Sequence, residues 1–174
     1  MLISPATLAD IPALADLINR AYRGEAAQAG WTTEGHLLDG PRADAALLRE
    51  MVAVPHTQFL KKEIDGALVG CVYLEPQGNA VYLSLLAVAP ERQSQGLGQQ
   101  LLLAAEAFAQ RLKRHQLKIS VLAARPELLA WYERQGYQRT GTSEPFPAST
   151  RFGRPRQPLT LVMLAKEVKM QSKL

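Results

Sequence analysis

The chain has 174 residues, 47% of them hydrophobic and 21% charged, with a formal net charge of +4 at pH 7, a composition that supplies one sizeable core in one domain. No apolar run approaches the roughly 18 residues that span a bilayer, and the start lacks the basic-then-apolar pattern of a secretory signal, so a cytoplasmic location without membrane attachment is expected. Cys71 is the single cysteine, which excludes an intrachain disulfide and a thiol-rich metal site. No metal is expected, and no nucleic acid either, because the basic residues are dispersed apart from the Arg111 to Lys118 and Arg151 to Arg156 stretches.

Met1 to Ser4 is a short apolar start, after which Asp10 is placed to cap a helix with Ile11, Leu14, Ala15, Ile18 and Tyr22 on one face, running to about Arg23. Gly24 to Arg42 has no steady period, and an irregular stretch of that length is often functional. Leu47, Leu48, Met51 and Val52 restore a helical spacing. From Gln58 the pattern turns to strands: Phe59 to Ile64 and Ala67 to Leu74 flank an Asp65-Gly66 turn, and Ala80 to Val88 follows Pro76-Gln77-Gly78-Asn79, which together predict an antiparallel meander. Cys71, in mid-strand, reads as a packed thiol.

Gly96 to Arg114 is a helix with Leu97, Leu101, Ala105, Phe108 and Leu112 as its buried stripe. Leu117 to Leu122 reads as a strand parallel to the one before that helix. Pro126 opens a further helix and Gly136 ends it in a left-handed turn. Tyr137 begins another strand, Ser143 to Pro158 forms a loop, and Leu159 to Leu164 is a last strand. The order β-α-α-β-β-β-α-β-α-β-β describes an α/β domain with a mixed central sheet of six to seven strands and about four helices. The domain is expected over residues 1–166, with 167–174 as a charged tail whose composition fits disorder.

The stretch Arg92-Gln93-Ser94-Gln95-Gly96-Leu97-Gly98, between a strand and a helix, has the make-up of an anion cradle, because the first amides of a helix lack intrahelical acceptors and glycine lets a phosphate approach the backbone. A plain tight turn would use the same glycines. Two nucleotide loops fail here: Gly98 is followed by Gln99-Gln100 rather than Lys and a hydroxyl residue, and Leu101 stands where a dinucleotide loop needs its third glycine.

The stretch resembles the pyrophosphate loop of the GNAT N-acetyltransferases, Gln/Arg-x-x-Gly-x-Gly/Ala, which Gln93-Ser94-Gln95-Gly96-Leu97-Gly98 fills at every position. Leu85-Leu86-Ala87-Val88-Ala89-Pro90 resembles the splayed end of that family's fourth strand, and Leu128-Leu129-Ala130-Trp131-Tyr132-Glu133-Arg134-Gln135-Gly136-Tyr137 resembles its later tyrosine-bearing helix and Gly-aromatic pair. The resemblance implies a GNAT fold that binds acetyl-CoA as cosubstrate and passes its acetyl group directly to an amine. The alternative is an acyl-CoA-binding sensor of the same fold with little transferase activity. Leu86, Ala87 and Val88 would meet the pantetheine arm, and Gln93 to Gln99 the pyrophosphate. Family members often carry Asn near the start of the tyrosine-bearing helix; this chain has Ala124 and Arg125, where Arg125 is either a substitute donor to the cofactor or a solvated residue before Pro126.

By the same resemblance Tyr132 is the general acid for the departing sulfur and the Val88 N–H polarises the acetyl carbonyl. The family often places a carboxylate base on the fourth strand, and Val81-Tyr82-Leu83-Ser84-Leu85-Leu86 has none. Glu34, on the loop at the acceptor edge, is the first candidate; it could equally bind the substrate ammonium or cap a short helix after Thr32 or Thr33. His36 is a further candidate base or an ordinary surface residue. Tyr22, Trp31, Thr33 and Phe146 would shape the acceptor site, with Glu34 and Asp39 pointing to a cationic group. Dimerisation is common among proteins of this resemblance, so a homodimer is compatible with it.

Overall fold

Period-two alternation over residues 58–88 sends Leu60, Val72, Leu74, Val81 and Leu83 into one core and Phe59, Cys71, Tyr73 and Ala87 into another, which requires a sheet covered on both faces. The computed structural model describes residues 2–170. In chain order its elements are β1 (Ile3–Pro5), α1 (Ile11–Tyr22), α2 (Gly24–Ala27), β2 (Leu38–Asp39), α3 (Ala45–Ala53), β3 (Gln58–Ile64), β4 (Ala67–Gln77), β5 (Ala80–Val88), α4 (Leu97–Arg111), β6 (Gln116–Leu122), α5 (Pro126–Arg134), β7 (Gln138–Pro145), β8 (Arg154–Pro155) and β9 (Thr160–Glu167). Seven strands form the central sheet in the order β1-β3-β4-β5-β6-β9-β7. Its β5–β6 pair is parallel and its other pairs are antiparallel. Residues of α1 and α3 pack on one face and residues of α4 and α5 on the other. A side chain such as Leu101, fully buried on α4, contributes roughly 1.5–3 kcal/mol by leaving water.

The expected order is present, with α2, β2 and β8 added inside the stretches read as irregular. β2 and β8 pair Leu38 with Pro155 and Asp39 with Arg154, a contact between distant segments that no local periodicity announces. The β3–β4 turn places Asp65 at φ 51° and Gly66 at φ 77°, the left-handed pair that suits strand twist. Asp10 stands at the N-cap position of α1, but its side chain makes no capping bond there. Its carboxylate instead accepts the Thr7 N–H at 2.7 Å and pairs with Lys61 Nζ at 2.9 Å. The last strand, expected to end at Leu164, continues as β9 to Glu167, and Val168 is buried with its N–H on the His115 carbonyl. Residues 171–174 of the expected tail lie outside the described residues. Among the described residues no helix is long and apolar enough to cross a membrane.

Two features of β5 shape the site. Between Tyr73↔Ser84 and Cys71↔Ala87 the register slips, so β5 carries one extra residue there, and Leu85 takes φ 52°, an uncommon conformation for a side chain of its size. The parallel pairing with β6 runs only from Ala80↔Gln116 to Tyr82↔Lys118, whereas β6 stays paired with β9 as far as Leu122. A wedge therefore opens between the carboxyl halves of β5 and β6. Cys71 is fully buried behind the bulge, its thiol directed at the Leu85 carbonyl and pushed up to about 12 by loss of hydration, as a packed rather than reactive cysteine requires.

Candidate active site

The wedge leads into a cleft of about 510 Å³ between the end of β5, the start of α4 and α5. Its floor follows from strand chemistry. The Ala89 N–H donates to the Val69 carbonyl at 2.9 Å, so the Gly70↔Val88 pair is of the non-hydrogen-bonded kind, and Val88 turns its own N–H and C=O to the opposite edge. There the Val88 carbonyl accepts from Gln93 Nε2 at 3.1 Å, and its N–H faces the wedge. Ala87, one residue back, points its polar groups at β4 and does not line the cleft, whereas Leu86 and Val88 do.

At the cleft's other end the chain passes through two left-handed residues, Ser94 at φ 62° and Gly96 at φ 80°, before α4 begins. No side chain caps α4, so its leading amides are available to an anion, with the helix dipole behind them. The two glycines have different tasks. A Cβ on Gly96 would meet nothing within 4 Å, so its backbone conformation is what demands glycine; a Cβ on Gly98 would sit 3.1 Å from the Trp131 ring. Gly98 thus seats Trp131, itself a wall of the cleft, which corrects the reading in which both glycines only clear a path for phosphate. Arg92 and Arg134 also line the cleft and add positive charge.

The loop after α2 is fixed over this cleft by two polar side chains. Gln93 accepts the Trp31 N–H at 2.8 Å and donates to Thr32 Oγ1 at 2.8 Å, an approach so close that a Cβ on Gly30 would strike its amide at 2.4 Å. Arg125 is 1% exposed. It donates to the carbonyls of Thr32 at 3.1 Å and Trp31 at 3.0 Å and pairs with Glu127. Arg125 is therefore not the solvated residue that was one expectation for it; it ties the loop to the start of α5 and does not line the cleft.

A second cavity, of about 320 Å³, lies on the far side of the bulge. The two cavities share Tyr22, Leu86, Leu128 and Tyr132 as walls. The Tyr22 hydroxyl donates to the Leu86 carbonyl, an acceptor that the bulge exposes. Tyr132 is 3% exposed, with edge-on contacts to Trp131 and Tyr137 at centroid distances of 4.9 and 5.6 Å. Burial, reinforced by Tyr22 and Tyr137, holds its hydroxyl pKa well above the ordinary tyrosine value, so it remains a proton donor at neutral pH.

Glu34 lines the second cavity, paired with Arg23 at 3.2 Å in surroundings where both are buried. Arg23 also donates to the carbonyls of Gly40 and Phe152, each at 2.9 Å. Of the three roles open to Glu34, capping a short helix falls away, because residues 35–37 form a turn. Phe146 and Tyr22 line the second cavity. Trp31 instead lines the cleft, 6.2 Å from Trp131. Thr33 and Gln95 line neither cavity, His36 is exposed outside both, and Asp39 is on the surface paired with Arg156 at 2.6 Å. Arg151 pairs with Glu50 at 2.7 Å, so the loop expected to be a basic cluster is partly neutralised.

Several lining residues escaped sequence reading. Thr32, Glu127, Trp131, Arg134 and Gln135 line the cleft, and Arg42 and Glu75 line the second cavity. Trp131 had a signal in its small partner Gly98, one α-helix away. Glu75 had none, since it stands on β4 opposite Tyr82 and only the sheet brings it to β5.

These features accompany likenesses to known proteins. The acetyltransferase (GNAT) domain model matches residues 34–148. Among solved structures, smu.2055 from Streptococcus mutans UA159 superposes with a TM-score of 0.72 at 19% identity over 97% of this chain and 100% of that one. A ribosomal-protein-alanine N-acetyltransferase from Brucella melitensis gives 0.68 at 25% identity over 96% and 99%. The putative acetyltransferase yncA from Salmonella typhimurium, solved with its cofactor acetyl-CoA, gives 0.68 at 20% identity over 100% and 97%. No curated protein matches the chain in sequence. The family match spans more than half of the chain and includes the Gln93–Gly98 loop, the exposed edge of β5 and Tyr132: this chain belongs to the GNAT acetyltransferase family.

Proposed function

We propose that the chain is an N-acetyltransferase that moves the acetyl group of acetyl-CoA to an amine by direct attack in a ternary complex. The observation that carries this reading is the wall shared by the two cavities, since Leu86, Leu128, Tyr22 and Tyr132 would touch both a thioester in the cleft and an amine in the second cavity. The cleft suits coenzyme A in its donor set: a free strand edge for an amide-bearing arm, uncapped helix amides with Arg92 and Arg134 for phosphates, and Trp31 and Trp131 as apolar walls. When bound, acetyl-CoA supplies an acetyl group activated as a thioester.

The chain's own groups do the rest. The Val88 N–H, directed into the wedge, donates to the acetyl oxygen as negative charge gathers there. Tyr132, kept protonated by burial, gives its proton to the departing sulfur. Holding both reactants across one wall turns a bimolecular encounter into a positioned one, so no covalent enzyme nucleophile is needed, and buried Cys71 serves none. The amine must shed a proton. Glu34, the first candidate base, already uses Oε2 to hold two N–H groups of Arg23. Glu75, whose partner is the Gln77 amide at 3.0 Å, receives the proton in our assignment, and Glu34 fixes the pocket wall.

The test is release of free thiol from acetyl-CoA across a panel of amines, with mass spectrometry of the acceptor and calorimetry of coenzyme A binding. We expect coenzyme A to bind and at least one amine to gain 1 acetyl group per thiol released. Tight coenzyme A binding with no acetylated amine would favour the acyl-CoA-binding sensor, and failure to bind coenzyme A would sink both readings.

A further inference from the structure

The second cavity carries four charged side chains, Arg23, Glu34, Arg42 and Glu75. Arg23 and Glu34 answer each other at 3.2 Å, which leaves one cation and one anion. The half-buried Arg42 guanidinium sits 5.9 Å from the centre of the Phe152 ring and has no carboxylate partner among the described residues. Half-buried Glu75 has the neutral Gln77 amide beside it and no cation among the described residues. A partly exposed charge without a counter-ion is open to a ligand group of opposite charge. The remaining walls are apolar, with Phe146, Phe152, Leu128 and Leu161 among them. The space of about 320 Å³ equals that of about ten waters, a fit for a small molecule.

Resting on the transferase reading above, we infer that the acceptor is a small aminocarboxylate, an amino acid with an apolar side chain, whose carboxylate pairs with Arg42 and whose amine is held by Glu75. The pocket is balanced in charge overall, with one cation and one anion that no counter-ion answers among the described residues, which selects a zwitterion over a simple cation. A polyamine would leave Arg42 facing like charge, and a peptide amine whose carboxylate is locked in an amide would leave Arg42 unanswered. Acetylation then forms the N–C bond and breaks the C–S bond: the ammonium first gives one proton to Glu75 to free its lone pair, the second N–H proton passes to solvent as the adduct collapses, and the sulfur takes a proton from Tyr132, which regains one from solvent.

The experiment uses the full chain and all twenty proteinogenic amino acids, each compared with its α-amide and its decarboxylated amine; L-phenylalanine, L-phenylalaninamide and phenethylamine form one such set. Calorimetry in the presence of coenzyme A reads binding, and thiol release with mass spectrometry reads transfer. The best acid is expected to bind roughly tenfold to a hundredfold more tightly than its amide or amine, the range of a charge-assisted contact. Arg42→Gln should bring that acid down to the level of its amide, while Glu75→Gln should weaken acid, amide and amine together. Amides or amines that bind and react as well as every acid overturn the inference and leave the transferase reading intact. An acid that binds through Arg42 without being acetylated supports the pocket assignment and overturns the transferase reading. Absence of binding by all members of the panel overturns the inference.

Discussion

The cleft and the second cavity share a wall but are built on opposite plans. The cleft takes most of its lining from two continuous runs, residues 86–99 and 127–135, joined by Trp31 and Thr32, and offers backbone amides and flat aromatic faces. The pocket draws on at least six separated segments, from Tyr22 to Leu161, and its polar character comes from side-chain charges. A ligand common to many proteins can be met by backbone geometry, which tolerates sequence change; a particular acceptor has to be met by side chains, which do not. On the proposed reading, the cleft is the half that meets the cosubstrate and the pocket the half that sets specificity.

The largest effect should come from breaking the pocket's internal pair. Arg23→Met leaves the Glu34 carboxylate buried and unanswered, and strips donors from the carbonyls of Gly40 and Phe152, at a cost of about 3–5 kcal/mol. Urea unfolding measures it, and Arg23→Met with Glu34→Gln should recover a large part of the loss. A single variant within 1 kcal/mol of wild type, by the scale of surface pairs, would show that the pocket does not depend on its charges and erase the contrast drawn above.

Next comes Tyr132, on the wall common to both halves. Tyr132→Phe keeps the ring and its contacts with Trp131 and Tyr137, so folding and coenzyme A affinity should hold while turnover falls roughly 10²-fold, the usual scale of acid catalysis. The pH profile gives a second reading. Because its pKa lies above the ordinary 10.0, the acid form persists as pH rises through that value, and turnover should show no alkaline limb from this residue below pH 10. A Phe variant with wild-type turnover, measured where chemistry limits the rate, would return Tyr132 to a packing role.

A smaller effect should follow from releasing the loop that closes the cleft. Gln93→Leu removes the bonds to Trp31, Thr32 and Val88, with an expected loss of about 1–3 kcal/mol in stability and weaker coenzyme A binding through a displaced Trp31. If affinity is unchanged, the cleft is set by its two continuous runs alone, which sharpens the contrast in its favour.

The same division explains what the sequence could disclose. Val88, Tyr132 and most of the loop Gln93–Gly98 line the cleft, and they were legible through a short motif and the family resemblance it carries. The bulge was not, because Leu85 takes a left-handed conformation that no residue type announces. Arg125 looked like a free cation beside Pro126, since its partners, the carbonyls of Trp31 and Thr32, lie more than 90 positions away. The displacement of Trp31 into the cleft, the pairing of Glu34 with Arg23 and the arrival of Arg42 and Glu75 in one pocket are all products of tertiary folding. What the fold class made plain was the sheet, because alternation over residues 58–88 is recorded residue by residue.

The smallest expected effect calibrates the largest. Asp10 and Lys61 form an ion pair at 2.9 Å with side chains 20% and 15% exposed, away from both cavities, where Arg23 and Glu34 are 5% and 10% exposed. The Thr7 amide first, and then Lys61, hold the Asp10 pKa below its ordinary 3.8, so its contribution is present above that value and is lost as pH falls through the lower folded-state pKa. The Lys61 pKa is raised by Asp10 and then Glu63, so its share is present below 10.5 and is lost only as pH rises past the folded-state pKa. Asp10→Asn should therefore cost about 0.2–1 kcal/mol at neutral pH, with the difference from wild type closing under acid. Unfolding in urea at pH 7 and at pH 2.5 reads both. If this variant costs as much as Arg23→Met, depth of burial is not what separates the two pairs, and the special standing given to the charges of the acceptor pocket fails with it.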